Sequence, residues 1–395
     1  MFLPTRAAAH EALNQFLPKS GADYAANRNT DYGSGRHENV STLSPWIRTR
    51  SITEWEIVTA VLEVHTEKAA SKFIDEICWR TYWKGWLQLR PSVWEDYVSA
   101  RADLLKKYSS HLGYEKATVG HTGIDCFDAW ANELMETGYL HNHARMWLAS
   151  IWIHTLKLPW ELGADWFLQH LLDGDAAANT LSWRWVAGLH TRGKSYLATA
   201  GNIRKYTQGR FEVNCRLATE PIAVPENPPV PVRPLSTAIQ TAPEGRTGLL
   251  LTEEDISAAD WIPKDFSVDA VAGLLPSSIY SALSMNETVV DFRRSCLRER
   301  CGDELFESIE SFLIWCQEQK LQTVLLAEPS VGLWSPLMNK LQRSLAEAGI
   351  ELRLQRHWWD ELFYPKATHG FFRFKQAIPS MIKTLKRQLS ENNHA

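Results

Sequence analysis

The sequence predicts an all-helical domain followed by a Rossmann-like α/β domain with a mostly parallel sheet, and three observations predict it. Apolar residues recur at helical spacing through most of residues 1–218. A proline-rich stretch beginning at Glu220, EPIAVPENPPVPVRPLSTAIQTAPEGRTG, denies itself a regular helix or strand and reads as an extended linker. Beyond it, short apolar runs bounded by turn residues alternate with amphipathic helices, the pattern of an α/β unit. At 395 residues the chain is also too long for one small core. The boundaries fall at 1–218 for the helical domain, 219–245 for the linker and 246–390 for the α/β domain.

Taken in order, TEWEIVTAVLEVH opens with Thr53 as an N-cap, and EKAASKFIDEICWRTYWKGWLQL repeats apolar residues at helical spacing. CFDAWANELMETG ends on a glycine stop, and NHARMWLASIWIHTL follows as the next helix. After the linker, TGLLLT (247–252) and LQTVLLA (321–327) read as short buried strands. ELFESIESFLIWCQEQK and SPLMNKLQRSLAEAG read as helices, and IELRLQRHWW as a further strand.

Composition is ordinary for a globular protein, at 45% apolar and 22% charged residues, except for 18 tryptophans. So many large, rigid indoles imply either an extensive aromatic core or a use for the rings. The formal charge of −4 gives no global pull toward nucleic acid, and residues 1–220 balance 24 basic against 24 acidic side chains. The cysteines at 78, 126, 215, 296, 301 and 316 form no C-x-x-C pair. With no secretory leader legible, they read as buried reduced thiols in a cytoplasmic protein, without zinc or an iron–sulfur cluster. No apolar run reaches membrane-spanning length, so no membrane partner is expected.

Several clusters carry polar chemistry. Asn142, Arg145 and Met146 share one helix face, and Glu76, Trp79 and Arg80 share another. On the residues alone, the plainer readings come first: an exposed helix start, and an i,i+4 Glu76–Arg80 ion pair beside a core indole. His141 and His143 point to different faces, which argues against a metal. Ser41, Thr42 and Ser44 crowd ahead of Pro45, which suits phosphate binding and simple helix capping equally. In LLDGDAAANTLSWRW (171–185), two aspartates, an asparagine and two tryptophans fall within one turn and one helix.

The order of these motifs resembles the photolyase/cryptochrome family. The resemblance runs through YAANRN (24–29), STLSP (41–45), EICWR (76–80), TGYLHNHARM (137–146) and LPWELGADWFLQHLLDGDAAANTLSWRW (158–185). It implies an FAD within the helical domain, its phosphates and ribityl chain held by Tyr24, Ser41, Thr42, Leu43 and Ser44. Asn142 and Arg145 would lie along the flavin, with Arg145 close to Asp173. Asp173 and Asp175 would contact its ribose and ring region, and Asn179 would face N5. Fixed donors and a cation suit a buried, negatively charged cofactor. Trp183 and Trp160 match the proximal and middle members of the family's electron-transfer chain. Glu76, Trp79, Met146 and Trp185 match the pocket for a flipped-out pyrimidine dimer, and Arg28 a DNA phosphate contact.

There are departures from the family pattern. Val40, Thr42 and Phe73 replace commoner residues near the flavin, and His143 replaces an arginine that grips DNA. The distal tryptophan aligns near Lys107, so Tyr108, Trp94 or another surface aromatic would end the chain. The family's α/β antenna domain normally comes first. Here RHWWDELFYPKATHGFFRFKQAIP resembles its last part, which implies a circular permutation and a second, antenna chromophore of unassigned identity. The resemblance implies light-driven repair of DNA containing cyclobutane pyrimidine dimers. The alternatives are a cryptochrome-like sensor acting through a signalling partner, and a light-independent flavin redox protein.

Overall fold

The computed structural model describes residues 2–191, 194–223, 230–236 and 241–392. Helices fill the chain up to Tyr206, and the first strand begins at Thr247. The stretches of the proline-rich segment that are described carry neither helix nor strand.

Local chemistry sets the helix ends. Thr53 and Glu56 form a reciprocal capping box at the start of Glu54–Val64, and Thr66 caps Glu67–Gln88. Asp125–Thr137 stops at Gly138, whose φ of 69° is left-handed. A side chain there would also meet Leu172 at 2.7 Å, so this glycine is required both by conformation and by space. The Glu67–Gln88 helix runs through the middle of the domain, packed against helices Ala176–Val186, Ala22–Asn27, Glu54–Val64 and Phe371–Asn392. Trp130, Trp147, Trp152 and Trp183 are fully buried, so much of the indole excess is core.

In the second unit, strands β1 (Thr247–Leu251), β2 (Ala270–Leu274), β3 (Leu305–Phe306), β4 (Thr323–Ala327) and β5 (Glu351–Gln355) form one parallel sheet of order β3-β2-β1-β4-β5. β1 and β4 lie side by side and are buried along their whole length, as central strands covered on both faces must be. Strands β2 and β3 do not stand out in the sequence: β2 is five small or aliphatic residues, and β3 is only two residues long.

The carboxyl ends of these strands face the helical unit. Thr49 accepts from the Ile256 amide (3.0 Å), and Gln88 Oε1 accepts from the Val331 amide (2.9 Å). Gly332 lies so close to Ala176 that a Cβ would approach its methyl to 2.4 Å. Between them lies a buried ionic layer in which Arg50 pairs with Asp255 (2.9 Å), Asp360 (2.7 Å) and Glu54 (3.4 Å). Of the cysteines, 78, 126, 296 and 316 are buried, but Cys215 is exposed and Cys301 half-buried, which corrects the expectation for those two. Both lie where little chain packs over them, one near the linker and one at a helix end.

Candidate functional site

The segment Leu171–Trp185 breaks one helix and starts another. Leu171 leaves the Trp160–His170 helix with extended ψ, and the Leu172 amide donates to Gly138 O (2.9 Å). Gly174 closes a tight turn onto Leu171 O (3.0 Å), and Asp175 caps the next helix by accepting from the Ala178 amide (2.6 Å). A capping aspartate two residues after another acid places both carboxylates at one helix start.

Arginines surround the turn. Arg145 reaches Asp173 through both terminal nitrogens, each 3.0 Å from a different carboxylate oxygen, the paired geometry of a strong guanidinium–carboxylate contact. Arg80 bonds Asp175 and lies 3.8 Å from Asp173. Burial alone would push the Asp173 carboxyl up, but Arg145 and Arg80 outweigh it and hold it below the ordinary carboxylate range. The expected Glu76–Arg80 ion pair is therefore not made. Arg80 turns to the aspartates, and Glu76 lies 3.6 Å from Arg28 instead. Burial raises the Glu76 carboxyl, with Arg28 opposing.

The other sequence-predicted residues distribute around this turn. Ser44 begins the short Ser44–Thr49 helix, and its side chain adds to the lowering of the Asp173 carboxyl after Arg145 and Arg80. Thr42 has a left-handed φ of 52°, Leu43 is fully buried, and Ser41 accepts from the Leu43 amide at 3.5 Å. Tyr24 is buried edge-on against Phe73 (5.0 Å) and Phe16 (6.0 Å). Asn142 starts its helix exposed, and Met146 is half-buried one turn on. Asn179 is buried with its amide nitrogen donating to Ala164 O (2.7 Å). His143 stacks on Trp147 (4.8 Å) and Tyr206 (5.3 Å), a packing role for the residue that stands in place of arginine.

The aromatic residues fall into separate groups. Trp183 meets Phe167 (5.0 Å) and Trp152 (6.0 Å) edge-on, and Trp152 stacks on Trp166 (6.0 Å). Trp160 lies 5.7 Å from Tyr97, which continues to Trp94 at 5.1 Å. Trp94 is only 4% exposed, so it is not the surface aromatic the sequence suggested. Trp185 stacks on Tyr196 (5.6 Å). Trp79 stacks face to face on Phe371, with centroids 3.5 Å apart and planes 11° from parallel.

Sequence reasoning missed Phe371, Arg48 and Arg293. Arg48 Nε and Arg293 Nη2 both donate to Gly174 O, at 2.9 and 2.7 Å. Only WIR within SPWIRTR hints at Arg48, and nothing near Arg293 marks it. Among the described residues, no group of His, Cys, Asp and Glu is arranged to hold a metal, and no helix is long and apolar enough to cross a membrane.

Residues 73–211 match the FAD binding domain of DNA photolyase. Over 209 residues the chain is 31% identical to a deoxyribodipyrimidine photo-lyase of Streptomyces griseus, covering 48% of this chain and 45% of that one. It is 27% identical over 184 residues to the deoxyribodipyrimidine photo-lyase of Vibrio cholerae, covering 44% and 39%. The chain thus spans less than half the length of these curated relatives. The crystal structure of a bacterial class III photolyase from Agrobacterium tumefaciens aligns over 53% of this chain and 44% of its own, at 24% identity and a TM-score of 0.45.

Proposed function

Residues 73–211 belong to the photolyase/cryptochrome family, and from that premise we propose that this protein is a light-driven DNA repair flavoprotein that splits cyclobutane pyrimidine dimers. The observation that carries the reading is the Asp173–Gly174–Asp175 turn, fixed by Arg80 and Arg145 inside a domain that matches an FAD-binding family.

The donor set fits FAD. Arg145 keeps a cation beside a negatively charged cofactor, and the Asp173 and Asp175 carboxylates offer acceptors for ribose O–H and ring N–H groups. The residues that would hold it are Tyr24, Ser41, Thr42, Leu43, Ser44, Asn142, Arg145, Asp173, Asp175 and Asn179. When bound, FAD supplies the photoexcited electron that opens the dimer's ring. Glu76, its carboxyl raised by burial, is suited to hydrogen-bond the edge of a base, and Arg28 beside it to hold a phosphate. Trp79, Met146 and Trp185 would receive the bases, and Trp183 and Trp160 would carry electrons to the cofactor. The same proposal places the protein in the cytoplasm with damaged DNA as partner. It includes a second chromophore only through the likeness of the α/β unit to an antenna domain.

One observation favours the cryptochrome-like reading: Phe371 covers a face of Trp79, the indole that a lesion would use. The test is to illuminate photoreduced protein with a thymine-dimer oligonucleotide under blue light and measure dimer loss. Repair predicts steady loss, and Phe371→Ala should raise dimer affinity by freeing the indole. Persistence of the dimer in both proteins, alongside normal FAD photoreduction, sinks repair and leaves sensing.

A further inference from the structure

We propose that Arg293, on the Glu287–Cys301 helix of the α/β unit, is a positioning residue for the Asp173–Gly174–Asp175 turn of the helical unit. This rests on the reading of that turn as part of the FAD site, and it assigns the α/β unit a part in building the site.

The geometry is specific. Arg293 is fully buried, and its Nη2 donates to Gly174 O at 2.7 Å. Its Nε and Nη1 find no acceptor among the described residues. This guanidinium therefore directs its one hydrogen bond across the boundary to a backbone carbonyl, in a place where a buried charge is costly. Arg48 Nε donates to the same oxygen at 2.9 Å, using the carbonyl's second lone pair. The rest of Arg48 is tied to the loop that follows β1, through Glu253 O (3.1 Å) and the Glu254 carboxylate. Glu253 is in turn held by Trp334 Nε1 at 3.0 Å.

Two cationic donors converging on Gly174 O fix the plane of the peptide between the two aspartates. On one side Asp173 then meets Arg145, and on the other Asp175 meets Arg80 and the Ala178 amide. Gly174 leaves little slack, since a Cβ there would lie 3.1 Å from Leu171 O. Rotation of this Gly174–Asp175 peptide would redirect Asp175, which caps the next helix and meets Arg80. The α/β unit thus constrains the direction in which the helical unit presents Asp175.

The test uses the chain of residues 1–395 carrying Arg293→Met, Arg293→Lys or Gln88→Ala. Gln88→Ala loosens a different contact between the units, the one with Val331. Hydrogen exchange at the Gly174, Ala178 and Asn179 amides is read without FAD, and FAD affinity is read separately by flavin fluorescence. Arg293→Met should speed exchange at these amides and weaken FAD binding by about tenfold or more, the factor that one charge-assisted hydrogen bond carries. Arg293→Lys, a shorter single-point donor, should give a smaller change in the same direction, and it serves as the readout where Arg293→Met does not fold. Gln88→Ala should leave these amides unchanged. Unchanged exchange in both Arg293 variants overturns the proposal, as does an equal rise in Gln88→Ala, which would mean general loosening. Wild-type protein that takes up no FAD overturns the cofactor reading instead, and the exchange comparison still decides the role of Arg293.

Discussion

At Asp173, desolvation and attraction oppose each other and attraction wins. Its carboxyl is 4% exposed at the residue level, yet two guanidiniums hold it ionised below the ordinary range. Because the folded value is depressed, the stabilisation is complete above the unfolded carboxylate range and is lost as pH falls from near 3.8 through the folded value. Asp173→Asn should cost about 3–5 kcal/mol at neutral pH, the typical penalty for removing one partner of a buried pair. The variant's deficit should shrink as pH is lowered through that window. Urea unfolding of both proteins at neutral and acid pH checks this, and a deficit independent of pH would refute it. The family resemblance places Arg145 beside Asp173, and the structure makes that pair, but the partner of Arg80 was not legible. The i,i+4 spacing of Glu76 and Arg80 suggested the wrong pair, because a local salt bridge is worth little against two buried carboxylates.

At the scale of elements, the Trp160–His170 and Ala176–Val186 helices meet where Gly163 lets the edge of the Trp183 ring approach the backbone. A Cβ at 163 would come within 2.3 Å of the Trp183 ring and 3.0 Å of Trp152 Nε1. Gly163→Ala should therefore destabilise by about 1–3 kcal/mol through overpacking, and it should shift tryptophan emission as Trp183 moves. Unaltered emission and stability would show that the ring does not sit there. Most helices were legible from apolar period and caps, Thr53 and Gly138 among them. β3 was not, since two residues carry no period, and its pairing with β2 comes from the fold.

At the scale of the molecule, the two units are joined by buried charge as well as by apolar packing. Arg50, its side chain 4% exposed, serves Glu54 from its own unit and Asp255 and Asp360 from the other. Arg50→Met would leave three carboxylates uncompensated and should cost about 3–5 kcal/mol or more. Denaturant unfolding, followed by probes in each unit, measures it, and a loss under about 1 kcal/mol would mean the layer is solvated like a surface pair. The carboxyl ends of β1 and β4, where open α/β sheets commonly take ligands, here face the helical unit.

The sequence by itself determined the helical character of the first part of the chain, the alternation of strand and helix after the proline-rich stretch, and the order of motifs that resembles a photolyase FAD-binding domain. These are written in local periods, caps and short spacings, which neighbouring residues carry without help from the rest of the chain. Only the tertiary structure decided that Arg80 serves Asp175, that Phe371 covers Trp79, and that Arg48 and Arg293 share Gly174 O. Arg293 and Gly174 are 119 residues apart, and burial gives a guanidinium no choice but to find whatever acceptor the packing brings within reach.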